Sequence, residues 1–247
     1  MHPDKLRGMR RAGASAAATL ASAARLLRPG LSTAALDRFV RADTRARGGR
    51  PSQLGFHGFP ASLCVSPDEV VCHGIPSEAR VLQDGDIVNL DVTTCLHGWH
   101  GDTSATFFVG APSPEARHLV ETAGRCRDAG VAVVRPGARL GEVGAAIEAL
   151  ARAEGCSVVA TFGGHGIGRA MHEPPFVSHV ARITRDLVLR AGMSFTIEPM
   201  INLGRPDVRI LADGWTVVTA DGSWSAQFEH TVIVTADGVE VLTAAPH

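Results

Sequence analysis

A chain of 247 residues that is 45% hydrophobic can bury a sizeable core as one compact domain. Its 24 lysines and arginines against 25 aspartates and glutamates leave no basic field to draw nucleic acid or an anionic membrane surface. The five cysteines are odd in number and contain no Cys-x-x-Cys pair, which argues against a disulfide framework or a structural zinc knuckle and fits a reducing cytosol.

At the start of the chain, Arg7, Arg10 and Arg11 precede an alanine-rich stretch that superficially resembles a secretory leader. That stretch holds a single leucine, and Leu6, Met9, Gly13, Ala16, Leu20, Ala23 and Leu27 recur at steps of three and four. This is the stripe of an amphipathic helix. No apolar run approaches the roughly 20 residues that span a bilayer, so a cytoplasmic protein without membrane contact is expected.

The helix stops at Arg28-Pro29-Gly30, and Arg135-Pro136-Gly137 repeats that stop 107 residues on (135 less 28). At the same offset Leu36, Val40 and Gly48 match Val143, Ile147 and Gly155, a second helix closed by glycine in each half. Leu82-x-x-Gly85 then leads into a strand expected to end at Asp91, and Leu189-x-x-Gly192 into one ending at Glu198. Constant register over helix, turn, helix and acid-ended strand predicts a duplicated α/β unit around a pseudo-twofold axis. The whole of 1–247 is then one domain, with halves of roughly 1–110 and 111–247.

Along the first strand Asn89, Asp91 and Thr93 share one face and Val88, Leu90 and Val92 the other. In the second half Ser194, Thr196 and Glu198 oppose Phe195 and Ile197. His97-Gly98 and Asp213-Gly214 read as hairpin turns that bring Asp102 and Glu229 back to the same polar surface. The connections are too short for parallel crossovers, which predicts a largely antiparallel sheet.

Four acids, Asp91, Asp102, Glu198 and Glu229, thus converge on one polar face. Any one alone reads as a surface charge; buried together they must hold protons or find cations. The imidazole that joins them is His165, in the run Gly163-Gly164-His165-Gly166-Ile167-Gly168. Such an oxygen-dominated set favours manganese, iron or cobalt over structural zinc. His73, in Val71-Cys72-His73-Gly74-Ile75-Pro76, echoes the His-Gly-Ile of His165, and His172 follows one loop later as a candidate to touch substrate. His97, His100, His118, His179 and His230 carry no comparable argument and read as surface or packing residues. The glycine run has no following lysine and matches no nucleotide fingerprint. There is no Gly-x-Ser-x-Gly elbow and no cysteine beside a histidine and acid, so activation of water by two metals remains.

Asn89-Leu90-Asp91-Val92, Gly101-Asp102-Thr103-Ser104-Ala105, Gly164 to Gly168, Thr196-Ile197-Glu198-Pro199 and Ala226 to Thr231 together resemble the methionine aminopeptidases over nearly the whole chain. Their pita-bread fold and the ligand order Asp, Asp, His, Glu, Glu are shared with prolidases. Val71 to Pro76 and Leu54-Gly55-Phe56-His57-Gly58-Phe59-Pro60 are similar to the type I methionine enzymes in particular. The 33 residues from His165 to Glu198 leave no room for the helical insertion of type II.

The resemblance implies an α+β pita-bread fold, a curved and largely antiparallel sheet with helices on one face. It implies two divalent ions, cobalt, manganese, iron or zinc, with Asp91 chelating one, His165 and Glu198 completing the other, and Asp102 and Glu229 bridging. His73, His172 and Glu198 would be catalytic, acting with a bridging water. Phe56, Phe59, Cys64, Met171 and Trp215 would receive the methionine side chain, with His73 and His172 also against substrate. A monovalent cation would sit on the carbonyls of Asp68, Val70 and Ser225. The implied substrate is the N-terminal methionine of nascent chains with a small second residue, met by a monomer, with the ribosome as a partner. Relatives often carry tyrosines at Phe56 and Phe59, phenylalanine at Met171, glutamate at Pro174 and asparagine at Asp68, which bears on the pocket's contour. The rival readings are a proline-directed peptidase of the same fold and an inactive peptide-binding relative. The first generally carries an extra N-terminal domain, and the second loses ligands that are all present here.

Overall fold

The computed structural model describes residues 3–181 and 187–244. Each half opens with two helices, α1 (Pro3–Ala24) and α2 (Thr33–Ala46), then α3 (Pro114–Ala132) and α4 (Gly141–Ala153). Ser32 and Ser113 cap α2 and α3 by accepting from the amides of Ala35 and Ala116, and proline opens α3 where no amide partner is needed. The helix stripe of the sequence is found in α1, whose Met9, Gly13, Ala16, Leu20 and Ala23 are buried. Its last turn is Ala24, not Arg28: Leu26 and Leu27 already make turn bonds to Ala23 and Ala24, while still packing on the core.

The 107-residue repeat is visible bond by bond. Gly30 donates to the Leu82 carbonyl at 2.8 Å and Gly137 to Leu189 at 2.9 Å. Ser32 bridges Val81 as Arg139 bridges Val188. Gly30 and Gly137 hold φ of +85° and +86°, a conformation that costs glycine nothing.

Every strand pairing among the described residues is antiparallel. In the first half Ile87–Leu96 pairs with Trp99–Phe108 through the left-handed His97-Gly98 turn, and with Cys64–Pro67 on its other edge. Val88, Leu90 and Val92 point at Leu20, Ala23, Leu36 and Val40 of α1 and α2. In the second half Ser194–Ile197 lies between Gly164–Gly166 and His230–Val234, and Phe195 and Ile197 pack on Leu119 and Ala123 of α3 and Val143 and Ile147 of α4. Each such side chain stabilises the fold by about 1.5–3 kcal/mol on burial. With helices on the apolar face, the polar face of each sheet is turned to the other half.

Two expectations are corrected. Asp91 is in the middle of its strand, because the ladder with Trp99–Phe108 carries on unbroken to Leu96; only Glu198 stands at a strand end, where Pro199 cannot donate to a ladder. Asp213-Gly214 turns Val208–Ile210 back on Val217–Thr219 and does not deliver Glu229. The turn is built locally, Asp213 accepting from the amides of Trp215 and Thr216. Glu229 arrives instead after Ser225–Gln227, and is pinned across the axis by its own amide to the Ser104 carbonyl (2.9 Å) and by the Thr103 hydroxyl to its carbonyl (3.0 Å). Thr231 likewise bonds both the amide and the carbonyl of Asp102. These bonds seat Asp102, on its strand, opposite Glu229, in the short link between Ser225–Gln227 and His230–Val234, where the halves meet.

Candidate active site

One cavity of about 280 Å³ lies over this junction, and Phe56, Phe59, Cys64, His73, Asp91, Asp102, His165, Met171, His172, Glu198, Trp215 and Glu229 all line it. The structure thus brings together the twelve residues singled out from the sequence. No lysine or arginine is among its lining residues.

Asp102 faces Thr93 across the hairpin and accepts the Thr93 hydroxyl at 2.6 Å. Asp91, two residues earlier on the same face, lies near enough to Asp102 and Glu198 for their charges to act on it. Glu198 accepts the Thr196 hydroxyl at 2.6 Å. Burial pushes the carboxyls of Asp91, Asp102 and Glu229 above their usual range, with neighbouring acids adding to the effect for Asp91 and Glu229. Burial also pushes Glu198 up to about 8. Glu229 Oε1 is buried with no hydrogen-bond partner among the described residues.

His165 is aimed by its backbone. Its amide donates to Thr196 Oγ1 at 2.9 Å, and Nδ1 faces the Gly166 carbonyl at 3.0 Å, which places the proton on Nδ1. The Nε2 lone pair then points at the acids, 3.7 Å from Asp102 Oδ2 and 3.6 Å from Glu198 Oε1. Burial holds this imidazole down to about 4, so it is neutral and its Nε2 lone pair is free to coordinate. Asp102, His165 and Glu229 offer three ligand atoms within 4.8 Å of one another. The donor set suits a divalent ion: crowded carboxylates without a cationic side chain, an unpartnered buried oxygen and a neutral imidazole all call for positive charge at their centre.

Beside the acids the wall becomes apolar. Phe59 stands edge-on to Trp215 at 5.2 Å and packs with Cys64 and Ile75. The Cys64 thiol is pushed well up by burial and by Asp91, so it lines the wall as a neutral group. His73, at φ +55°, faces Phe162 and Trp215 and is held to about 4 by burial. His172 lies at the mouth, its ring 4.1 Å from that of His165 and 4.9 Å from that of Phe56. The Asp68 carbonyl accepts the Ser225 amide at 2.9 Å, and the Ser225 hydroxyl is buried with no partner among the described residues.

Several residues at the site were not singled out from the sequence. Thr93 and Thr196 each stand two positions from a site acid, on the face where alternation set them but with no role assigned, whereas Gln227 touches Glu198 across 29 positions. His179, read as packing, accepts the Glu198 amide at 3.1 Å through Nε2. Gln53 touches Asp91 across 38 positions, with no local signal to mark it.

The profile of metallopeptidase family M24 matches residues 7–236. Methionine aminopeptidase A of Synechocystis is 50% identical over 235 residues, spanning 95% of this chain and 93% of that protein. Methionine aminopeptidase of Escherichia coli K12 is 46% identical over 242 residues, 98% of this chain and 92% of the relative. The crystal structure of methionine aminopeptidase from Rickettsia prowazekii superposes with a TM-score of 0.96 at 43% identity, covering 98% of both chains.

Proposed function

The chain belongs to metallopeptidase family M24, in which it is a metal-dependent methionine aminopeptidase of the pita-bread fold, and we propose that it works through two divalent ions held by Asp91, Asp102, His165, Glu198 and Glu229. The observation that carries this reading is the convergence of two buried carboxylates, two part-buried ones and a neutral imidazole in a cavity lined by no cationic side chain. When bound, such ions supply electrophilic activation of water and of the scissile carbonyl near neutral pH. Manganese, cobalt, iron and zinc all fit the ligand set.

The protein's own groups divide the remaining work. Phe56, Phe59, Cys64, Met171 and Trp215 take the methionine side chain, whose burial contributes about 1.5–3 kcal/mol. His73 steadies the substrate amide. His172 donates an N–H to the carbonyl oxygen as charge develops there. The Glu198 carboxyl relays a proton to the departing amine. A bulky second residue would collide with His172 and the acids, so the substrate is an N-terminal methionine followed by a small residue. On the same reading the enzyme is a cytoplasmic monomer that meets nascent chains at the ribosome; no described helix is long and apolar enough to cross a membrane. A monovalent cation at the Asp68, Val70 and Ser225 carbonyls is supported by the unpartnered Ser225 hydroxyl.

Mass spectrometry of Met-Ala-Ser and Met-Lys-Ser peptides tests it. Methionine should leave the first and stay on the second, activity should stop in excess chelator, and manganese or cobalt should restore it. Efficient cleavage before lysine, or turnover undiminished by chelator, would overturn the reading.

A further inference from the structure

We propose that Gln53 and Gln227 are a matched pair of positioning residues, each holding from behind one of the two terminal metal-ligand acids, Asp91 and Glu198. The inference rests on the two-ion reading above. Gln53 is buried in the cavity wall, and its Nε2 donates to both the Asp91 carbonyl (2.9 Å) and Asp91 Oδ1 (3.2 Å). Its Oε1 accepts the Thr93 amide at 3.2 Å. That last bond forbids an amide flip, since a flipped NH2 would meet an N–H; the donor must face Asp91. The position explains the arrangement. Arg50–Pro51 pairs with Cys95 and Thr94, and the ladder ends with the Ser52 amide on the Thr93 carbonyl at 2.9 Å. The Gln53 side chain continues the pairing one step further with its amide group, which places a donor on a carboxylate where backbone alone could not.

Gln227 repeats the device on the other acid. Its Nε2 donates to the Glu198 carbonyl (3.2 Å) and Glu198 Oε2 (3.3 Å), from a strand registered against Met200. Its backbone is itself tied down, the amide to Thr106 Oγ1 at 3.0 Å and the carbonyl to Asn89 Nδ2 at 2.8 Å. Duplication does not account for the match. The residue 107 positions after Gln53 is Ala160 (53 plus 107), whereas Gln227 sits 29 positions after its acid and Gln53 sits 38 before. Two halves that share the acids by descent have reached the same clamp with unrelated residues. A common requirement of the two carboxylates explains that: each has an oxygen held by a glutamine amide, with the Thr196 hydroxyl on the other oxygen of Glu198, so the remaining lone pairs face the cavity in one orientation.

Partners behind a metal ligand are typically worth 10–100-fold in metal affinity. Metal-free protein titrated with manganese in a calorimeter gives the test, using Gln53→Met and Gln227→Met, which keep side-chain length and lose the donor. Gln53→Met should weaken one binding event about 10–100-fold and leave the other nearly unchanged. In an Asp91→Asn background it should add no further loss. Gln227→Met should weaken the event that Glu198→Gln abolishes. The proposal is overturned if either variant binds manganese like the parent, or if both events weaken together with a fall in the melting temperature of the metal-free protein, which would mark a scaffold role. Should Gln53→Met not fold, the Gln227→Met arm decides; failure of both to fold also overturns positioning in favour of scaffold. A parent protein without two saturable manganese events would instead sink the two-ion reading, a result visible before any variant is made.

Discussion

At the scale of single residues, proximity to the acids does not by itself make a ligand. His172 lies against His165, yet it is exposed at the mouth, with its ring edge-on to those of His165 and Phe56. Its pKa is held down to about 4, by burial first and by His165 second, so at neutral pH it has one N–H to donate. Replacing it should therefore touch the transition state and not the metal. His172→Ala is expected to lower turnover about 10²–10³-fold, the usual loss for one oxyanion donor, with metal content unchanged. Steady-state kinetics beside metal analysis would show this; a variant that loses its metal would make His172 a ligand.

At the scale of elements, α1 sets the height of the strand that carries Asp102. The helix crosses Trp99–Phe108 so closely that a Cβ on Gly101 would stand 2.4 Å from the Gly13 nitrogen and 2.5 Å from its Cα. Those are backbone atoms and cannot rotate away, so the helix or the strand must move. Gly101→Ala should cost about 1–3 kcal/mol as overpacking, and should weaken metal binding because Asp102 is the next residue. Gly48→Ala is the control. Its φ is +79° but no atom lies within 4 Å of the added carbon, so it should lose about 1 kcal/mol of stability and no metal affinity. Urea unfolding with metal titration separates the two; equal effects would mean that the contact between α1 and the strand does not govern the site.

At the scale of the whole molecule, the acids that equip the site oppose folding until cations arrive. Glu198 binds its proton up to about 8 when folded, against an ordinary 4.5. A carboxyl with a raised folded pKa contributes stability below its unfolded value and loses it as pH climbs to the folded one. The window above about 7.5 isolates this effect, since His73, His165, His172, His179 and His230, held near 3 to 4 when folded, oppose folding only while the unfolded imidazoles, ordinarily at 6.5, still bind protons. In chelator the protein should therefore lose stability as pH rises from about 7.5 through 8. Saturating manganese should abolish that loss, because the ions displace the protons, and should add about 2.7 kcal/mol at a hundredfold excess over Kd. Urea midpoints at several pH values, with and without metal, give the answer. A chelated protein that gains stability over this window would mean that burial does not hold the proton on Glu198.

What the sequence determined by itself was whatever depends on spacing along the chain. The three-and-four stripe marked α1, the 107-residue offset paired α1 and α2 with α3 and α4, and alternation put Asp91 beside Thr93 and Glu198 beside Thr196 on a polar face. The left-handed His97-Gly98 turn was legible for the same reason, being a property of two adjacent residues. Register across the sheets was not. A period of two says which face a side chain takes, but what stands opposite depends on turns and bulges far away. Hence Asp213-Gly214 was placed on the wrong hairpin, Asp91 at a strand end, and His179 among the packing residues although it holds the Glu198 amide. Gln53 and Gln227 show the limit most sharply: their partners are 38 and 29 positions away, and only the folding of distant strands onto one another turns an unremarked amide into a hand on a carboxylate.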